Sequence, residues 1–345
     1  MNPSFDIERA SRPLSPTLRS EIVSLWENEK VGIADTDTRI AEIRYTARNE
    51  AGDLVGVCSS AVEKGIYNGL YFHGMRVLVA AEFRQNLLAF ELLAHLVEEL
   101  ADNRRGNFEV GPVGVKVVIQ TPIVAERGQI HCVRTFQFPI NKTPKQFLLS
   151  GFTPKGHPEY CHYFTNDSDA TKGALARWVN TAETLGSEAS VQAFSQDPQN
   201  ADRGDVLAFL EQQSSVNKPA RQQQIVSSKS LYSLKRNGQL VAVCELIPRL
   251  IREINGSLLG IHPHGSANTG DIDILGIFAR EIYDQLNSAG SHRIEDAVGL
   301  FTVYSDRTDL PVVCPVTGFH LHGADAQQRE LRVRFFDDLK VKVPQ

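Results

Sequence analysis

Apolar and polar positions alternate through RIAEIRYTA (39–47), turn-forming residues follow from Asn49 to Asp53, and alternation resumes in LVGVCSSAV, which predicts a β-hairpin. The same pattern recurs later: SLYSLKR meets Asn237-Gly238 and returns through LVAVCELI. Each hairpin leads to another strand and then to an amphipathic helix. In the first half these are GLYFHGMRVLVA and a segment whose Leu88, Leu92, Leu93, Leu96, Val97 and Leu100 recur at spacings of three and four. In the second half GSLLGI passes through a polar loop, IHPHGSANTGD (261–271), into DIDILGIFAREIYDQL, with Ile274, Leu275, Phe278 and Ile282 on one helix face. A further strand follows each helix, VGVKVVIQ (113–120) and AVGLFTVY (297–304), and then a segment ending in Gly-Phe.

The recurrence extends to the residues themselves. GDLVGVC (52–58) returns as GQLVAVC (238–244), and GFTPKG (151–156) returns as GFHLHG (318–323), in the same order. One architecture used twice is therefore expected: an α/β protein of two tandem lobes, each a mixed, mostly antiparallel sheet flanked by helices. The lobes are expected over residues 1–165 and 206–345. Residues 166–205, rich in Asn, Asp, Ser, Thr and Ala, read as a linker with one short helix around Leu175 to Leu185.

Composition narrows the class. A chain of 345 residues with 42% hydrophobic and 22% charged residues has the make-up of a globular protein large enough for two cores. A net charge of -5 supplies no basic field to gather nucleic acid, so no nucleic-acid partner is expected. The five cysteines are odd in number, widely spaced and form no C-x-x-C pair, which argues against a disulfide framework or a zinc site. Cys58 and Cys244, alternating with valines, read as small buried hydrophobes. The N-terminal residues lack an apolar h-region and no stretch of about 18 apolar residues occurs, so a cytoplasmic protein without membrane insertion is expected, and no metal.

The order of hairpin, strand, turn with arginine, helix, strand, helix and Gly-Phe resembles the GNAT superfamily of N-acetyltransferases, over roughly residues 15–165 and again over 200–335. The resemblance implies acetyl-CoA or another acyl-CoA as cofactor and acyl transfer to a small amine. Its cofactor motif, Arg/Gln-x-x-Gly-x-Gly/Ala, falls on RQNLLA (84–89), where Arg84 and Ala89 match and Leu87 stands in place of the first glycine. Backbone N–H groups at a helix start, with the positive end of the helix dipole, favour a pyrophosphate there. The implied cofactor-binding set is Val77, Val79, Arg84, Gln85, Asn86, Leu87, Leu88 and Ala89. The second half has Gly265, Ser266, Thr269 and Gly270 in its loop but no arginine, and Asp271 and Asp273 at the helix start oppose a phosphate.

The family's thiolate-protonating tyrosine stands four residues before Gly-Phe; here those positions hold Phe147 and Cys314. His73, on the strand that feeds the turn, is the candidate base, with Tyr71 two residues away on the same strand face. Cys314 is the competing catalytic candidate. Cys161 and Tyr163 of EYCHYF (159–164) also lie on a late strand. Two other readings compete with an acyltransferase: a binding protein on the same scaffold that has lost turnover, and an enzyme taking its thioester from an acyl carrier protein.

Overall fold

A computed structural model describes residues 4–64, 70–104, 111–120, 128–138, 144–164, 189–193, 202–212, 219–228, 230–266, 272–288, 297–304, 313–314, 317–324, 329–337 and 339–344. The chain divides into two compact units, residues 1–126 with 133–165, and residues 127–132 with 166–345.

In the first unit, β1 (Asp6–Arg9), β2 (Ile43–Arg48), β3 (Leu54–Lys64), β4 (Tyr71–Val79), β5 (Gly114–Val118), β7 (Val133–Gln137), β8 (Pro144–Phe152) and β9 (Pro158–Tyr163) form one sheet in the order β1-β2-β3-β4-β5-β9-β8-β7. Every described pairing is antiparallel except β4 with β5. One face carries α3 (Leu88–Arg104), whose Leu88, Leu92, Leu96 and Val97 are fully buried. Gly56 of β3 lets that helix close in, since a Cβ there would stand 3.0 Å from Leu92 Cδ1. The other face carries α1 (Pro16–Asn28) and α2 (Thr36–Ala41), and here Ile22, Leu25, Trp26 and Ile40 pack with Ile43 and Val57.

The second unit repeats the plan. β10 (Ala189–Ala193), β11 (Leu231–Arg236), β12 (Gln239–Ile251), β13 (Gly256–Ser266), β14 (Ala297–Tyr304), β15 (His320–Ala324) and β16 (Glu330–Phe335) run in the order β10-β11-β12-β13-β14-β16-β15, with β13–β14 the parallel pair. Its helices are α4 (Asp202–Glu211), α5 (Pro219–Val226) and α6 (Ile272–Ser288). Val206, Leu210 and Ile225 from α4 and α5 pack on Leu231 and Val243, whereas Phe278 and Ile282 of α6 pack on Cys244 and Leu246.

The first internal match sits in equivalent register. Tyr45 lies opposite Cys58 in one sheet and Tyr232 opposite Cys244 in the other. The hairpin irregularity falls at Ala47/Arg48 in the first and at Leu234/Lys235 in the second. The second match does not hold in this way. Gly151 lies opposite Glu159 at the end of β8, and the residue in the corresponding register of β15 is Gly323, opposite Leu331, rather than Gly318.

Several expectations are corrected. Residues 39–41 belong to α2, not to a strand, because Asp35 caps that helix by accepting from Thr38 N at 3.0 Å and Thr38 Oγ1 at 2.7 Å. The expected loop from Ile261 is strand as far as Ser266, so Gly265 and Ser266 belong to β13. Thr269, Gly270 and Asp271 lie outside the described residues, as does the helix expected around 175–185, and Asp273 belongs to α6. Residues 189–193, read as linker, form the edge strand of the second sheet. Where a helix was expected before Gly151, the described residues 128–138 are strands: β7, and β6 (Gln129–His131), which pairs with β17 (Lys340–Lys342) in the second unit.

That last pairing closes over Cys132, whose N–H donates to Leu339 O at 3.0 Å, beside the buried Ile130 and Val341. All five cysteines are buried. Burial pushes the Cys132 and Cys161 thiols up to about 12. The native protein should therefore show no fast-reacting thiol in a thiol-reagent assay at neutral pH. Val341→Asp puts a charge into the β6–β17 seam and should make Cys132 reactive while Cys58 and Cys161 stay protected, which peptide mapping of the labelled protein would reveal.

Candidate functional site

β4 and β5 share a ladder only across His73↔Val115, Gly74↔Lys116 and Met75↔Val117. β5 then leaves, with the Ile119 N–H donating to Pro158 O at 3.0 Å. From Arg76 to Val79, β4 is paired with β3 alone. A cleft of about 1100 Å³ occupies the gap. Arg76, Val77 and Leu78 line one side and Lys116, Val118 and Gln120 the other. Ile33, Asp35 and Arg39 border it from the α1–α2 region, and Arg84 also lines it.

The polar floor is a chain of ion pairs. Glu63 of β3 meets Arg76 of β4, and its other oxygen lies 3.0 Å from Lys116 Nζ. Lys116 also reaches Glu159 of β9 at 3.3 Å, and Glu159 accepts from Ser150 Oγ at 3.0 Å. On the far side Arg76 reaches Glu42 at 3.3 Å, and Glu42 pairs with Arg39 at 2.6 Å. Gly74 makes the crossing possible: a Cβ there would fall 2.5 Å from the Glu63 carboxyl carbon. Burial of Lys116 works to lower its pKa, but the Glu159 and Glu63 carboxylates outweigh it and raise it. The ammonium is thus held charged in a largely buried place.

At the end of β4, Ala81–Phe83 form a 3-10 turn and Arg84 follows. The guanidinium is already engaged: Nε donates to Val79 O at 3.1 Å and an Nη pairs with Glu29, at the C-cap of α1. Glu29 also accepts from the Ala81 N–H at 2.9 Å. An internal carboxylate thus occupies Arg84. Leu87, in the family's glycine position, is 60% exposed, so its side chain points away and leaves the backbone accessible. Leu88 is fully buried and Ala89 half-buried. In the first turn of α3 the Phe90 and Glu91 N–H groups donate to Leu87 O at 2.9 and 3.0 Å, which leaves those of Leu88 and Ala89 without an acceptor in the helix. Gln85 is exposed and Asn86 half-buried in the turn, and Val79 is buried at the strand end.

The catalytic candidates fall elsewhere. His73 lies opposite Val62, on the strand face that carries Cys58 and α3, with Nδ1 3.5 Å from Ser60 Oγ. Strand alternation puts Glu63 on the other face, and neither His73 nor the exposed Tyr71 lines the cleft. Cys314 belongs to the second unit, buried, its N–H donating to Phe319 O at 2.9 Å. Phe147 is buried against Phe136, Phe138 and His162. Cys161 and Tyr163 are buried too, Tyr163 edge-on to Phe72.

Sequence reasoning missed Glu63, Lys116 and Glu159. The available signal was a lysine inside the apolar run GVKVV, since a charge in a buried strand requires partners. Among the described residues no cluster of His, Cys, Asp and Glu could hold a metal ion, and no helix is long and apolar enough to cross a membrane.

No family model and no curated protein matches the chain. Solved structures that are similar include an acetyltransferase of the GNAT family from Streptococcus pneumoniae, 11% identical, with 46% of this chain and 96% of that one covered at a TM-score of 0.28. A GCN5-related N-acetyltransferase from Sphaerobacter thermophilus is 11% identical, with 83% of this chain and 84% of that one covered at a TM-score of 0.26. An aminoglycoside acetyltransferase from an uncultured soil metagenomic sample is 15% identical, with 36% and 82% covered at 0.25. Each of the two larger sheets has a single parallel pair among antiparallel neighbours, the arrangement that the resemblance to the GNAT superfamily implies.

Gly74→Ala drives a methyl group into the Glu63 carboxylate and separates it from Lys116 and Arg76, so a chemical-denaturation midpoint should report a loss of about 2 kcal/mol. Gly32→Ala, where a Cβ would meet nothing within 4 Å, should stay within about 0.5 kcal/mol of the parent. Because the Lys116 pKa is raised, the stability it contributes is intact below the unfolded value near ~10.4 and is lost as pH rises through the folded value. Lys116→Met should therefore flatten the alkaline limb of a stability–pH profile.

Proposed function

We propose that the first lobe is an acyl-CoA-dependent acyltransferase acting on a small amine. The observation that carries the reading is the gap between the parallel strands β4 and β5, which opens beside the turn leading into α3. The edge of β4 from Arg76 to Val79, which has no β5 partner, would hold an extended pantetheine arm through its backbone groups. The Leu88 and Ala89 N–H groups at the start of α3 would hold the pyrophosphate, and Arg84, released from Glu29, would add charge.

In this reading the acceptor nitrogen attacks the thioester carbonyl beside Gly74 and Lys116. The C–N bond forms, the C–S bond breaks, the ammonium proton passes to Glu63, and the departing thiolate is protonated by water. Glu63 replaces His73 as the proton acceptor because Glu63 lines the cleft. The alternative, binding without turnover, draws support from Phe147, which has no phenol to give and is packed among aromatic rings.

Calorimetric titration with CoA and acetyl-CoA tests binding, and thiol release with a panel of small amines tests turnover. Arg84→Ala should weaken CoA about tenfold, near the lower end of the roughly 10- to 100-fold that a charge-assisted contact is worth, because the ligand must first displace Glu29. Arg84→Glu should weaken it further by adding repulsion. Glu29→Gln should tighten binding several-fold by releasing Arg84. Affinities unchanged in all of these variants would remove the site from this turn, and Glu63→Gln with normal turnover would remove the proposed base.

A further inference from the structure

The two sheets can be aligned residue by residue through their ladders. With Cys58 and Cys244 as the common point, Ser59 opposite Arg76 corresponds to Glu245 opposite His262. Gly74 beside Lys116 corresponds to Gly260 beside Phe301, and Glu63 corresponds to Arg249. The positions that form the floor of the first lobe's cleft therefore carry a different chemistry in the second. The salt bridge that crosses Gly74 is replaced by the Arg249 guanidinium 6.0 Å from the centroid of the Phe301 ring, across Gly260. A Cβ on Gly260 would stand 2.8 Å from Phe301 Cε1 and 3.1 Å from His262 Nε2, so the absence of a side chain lets these groups converge.

One departure from the repeat is local. Ala242 pairs with Ser266 and Cys244 with Pro263, so β13 has one more residue than β12 across this interval, at His264 and Gly265. The corresponding pairs of the first lobe, Gly56 with Val79 and Cys58 with Val77, are in step. A bulge of this kind re-aims a side chain. Here it accompanies a contact of 3.2 Å between His264 Nε2 and Glu245 Oε2, while Arg221 of α5 approaches the same oxygen at 3.9 Å. His262 is exposed and His264 half-buried, so solvent and ligands reach the group.

We infer that the second lobe holds a site of its own on this face, binding an oxyanion between Arg221 and Arg249, with His264 and Glu245 as a proton-transfer pair for the bound molecule. The charge count favours an anion: among the described residues Glu245 is the carboxylate that opposes the two arginines, Arg221 also donating to Gln224 Oε1 at 2.7 Å, whereas in the first lobe three carboxylates balance three cations. Burial lowers the pKa of both imidazoles against the pull of Glu245, so they are neutral at physiological pH. A neutral His264 that donates Nε2–H to the carboxylate leaves Nδ1 as an acceptor, and the imidazolium formed by taking a proton is stabilised by Glu245. The ligand class is a carboxylate or phosphate ester with an ionisable N–H or O–H next to its charge.

The test is an imidazole NMR titration of the full chain at pH 7.5 with inorganic phosphate and, separately, with acetate. Saturable shifts of His262 and His264 with a common midpoint, His95 and His162 of the first lobe remaining still, support the site; the tighter probe identifies the anion. Arg221→Gln should weaken that midpoint about tenfold, and Arg249→Gln in the same direction, in proteins whose first-lobe resonances are unchanged. Shifts that grow linearly with concentration, saturable shifts indifferent to both substitutions, or no shifts at all would mean an adventitious ion only and overturn the inference. CoA titration of the same samples reads the first lobe separately.

Discussion

A sheet built from antiparallel neighbours can stay closed along its length, because each strand edge finds a partner. The parallel contact of β4 with β5 is the exception on which the first lobe depends. It survives for three residue pairs, after which β5 follows β9 and β4 follows β3. The gap is thus a consequence of connectivity: α3 must cross from the end of β4 to the start of β5, and only a crossover of that kind makes neighbouring strands parallel. The edge of β4 that is left without a ladder is also the edge that leads to the turn before α3. In the proposed reading one piece of backbone geometry would serve both an extended polar chain and an anion, before any side chain is considered.

Side chains then decide what such a gap can do. Opening a sheet exposes its interior to a medium between protein and water, where charges interact more strongly than at a free surface. The first lobe fills this place with six alternating charges, each touching at least one of opposite sign. Lys116 is held between the Glu63 and Glu159 carboxylates, and a Cβ at position 74 would stand 2.5 Å from the Glu63 carboxyl carbon. Glycine here serves proximity: its β conformation is ordinary, and it is the space over its Cα that Glu63 uses. The arrangement also ties three strands, β3, β5 and β9, to one ammonium at the floor of the cleft, whose lining extends to the half-buried Arg39 and the exposed Asp35.

Much of the fold was legible because strands and helices bury regular faces. The α3 stripe gave buried Leu88, Leu92, Leu96, Val97 and Leu100, and the hairpin repeat gave Cys58 and Cys244 in matching register. What was misread had weak or competing local signals. Ala189–Ala193 has little hydrophobicity of its own and is strand because β11 supplies a ladder. Residues 39–41 alternate well, but the Asp35 cap outweighs alternation over so short a span. GFTPKG and GFHLHG are alike in letters and unlike in register, so composition alone misled. For the site, Arg84 could be found from its place after β4, whereas Glu29, its partner 55 residues earlier, could not. Glu63, Lys116 and Glu159 converge only through sheet order, and a linear reading favoured His73, which the structure places opposite Val62, on the face of β4 away from Gly74 and Arg76.

The two lobes show what repetition preserves. Tyr opposite Cys, the hairpin bulge, Gly74 and Gly260, and Gly114 and Gly299 recur because each is demanded by packing: a Cβ on Gly114 would lie 2.9 Å from Tyr163 Cα, and one on Gly299 2.8 Å from Phe335 Cα. The charges above this shared frame do not recur. Glu63 and Lys116 become Arg249 and Phe301, while Ser59 and Arg76 become Glu245 and His262. Backbone constraints act on every copy of a fold, so they persist where the chain is duplicated in form. Side chains facing the gap answer only to what occupies it. The frame itself departs from the repeat at the β13 bulge, where His264 and Gly265 face a single residue of β12, so the two lobes differ in backbone as well as in charge on this face.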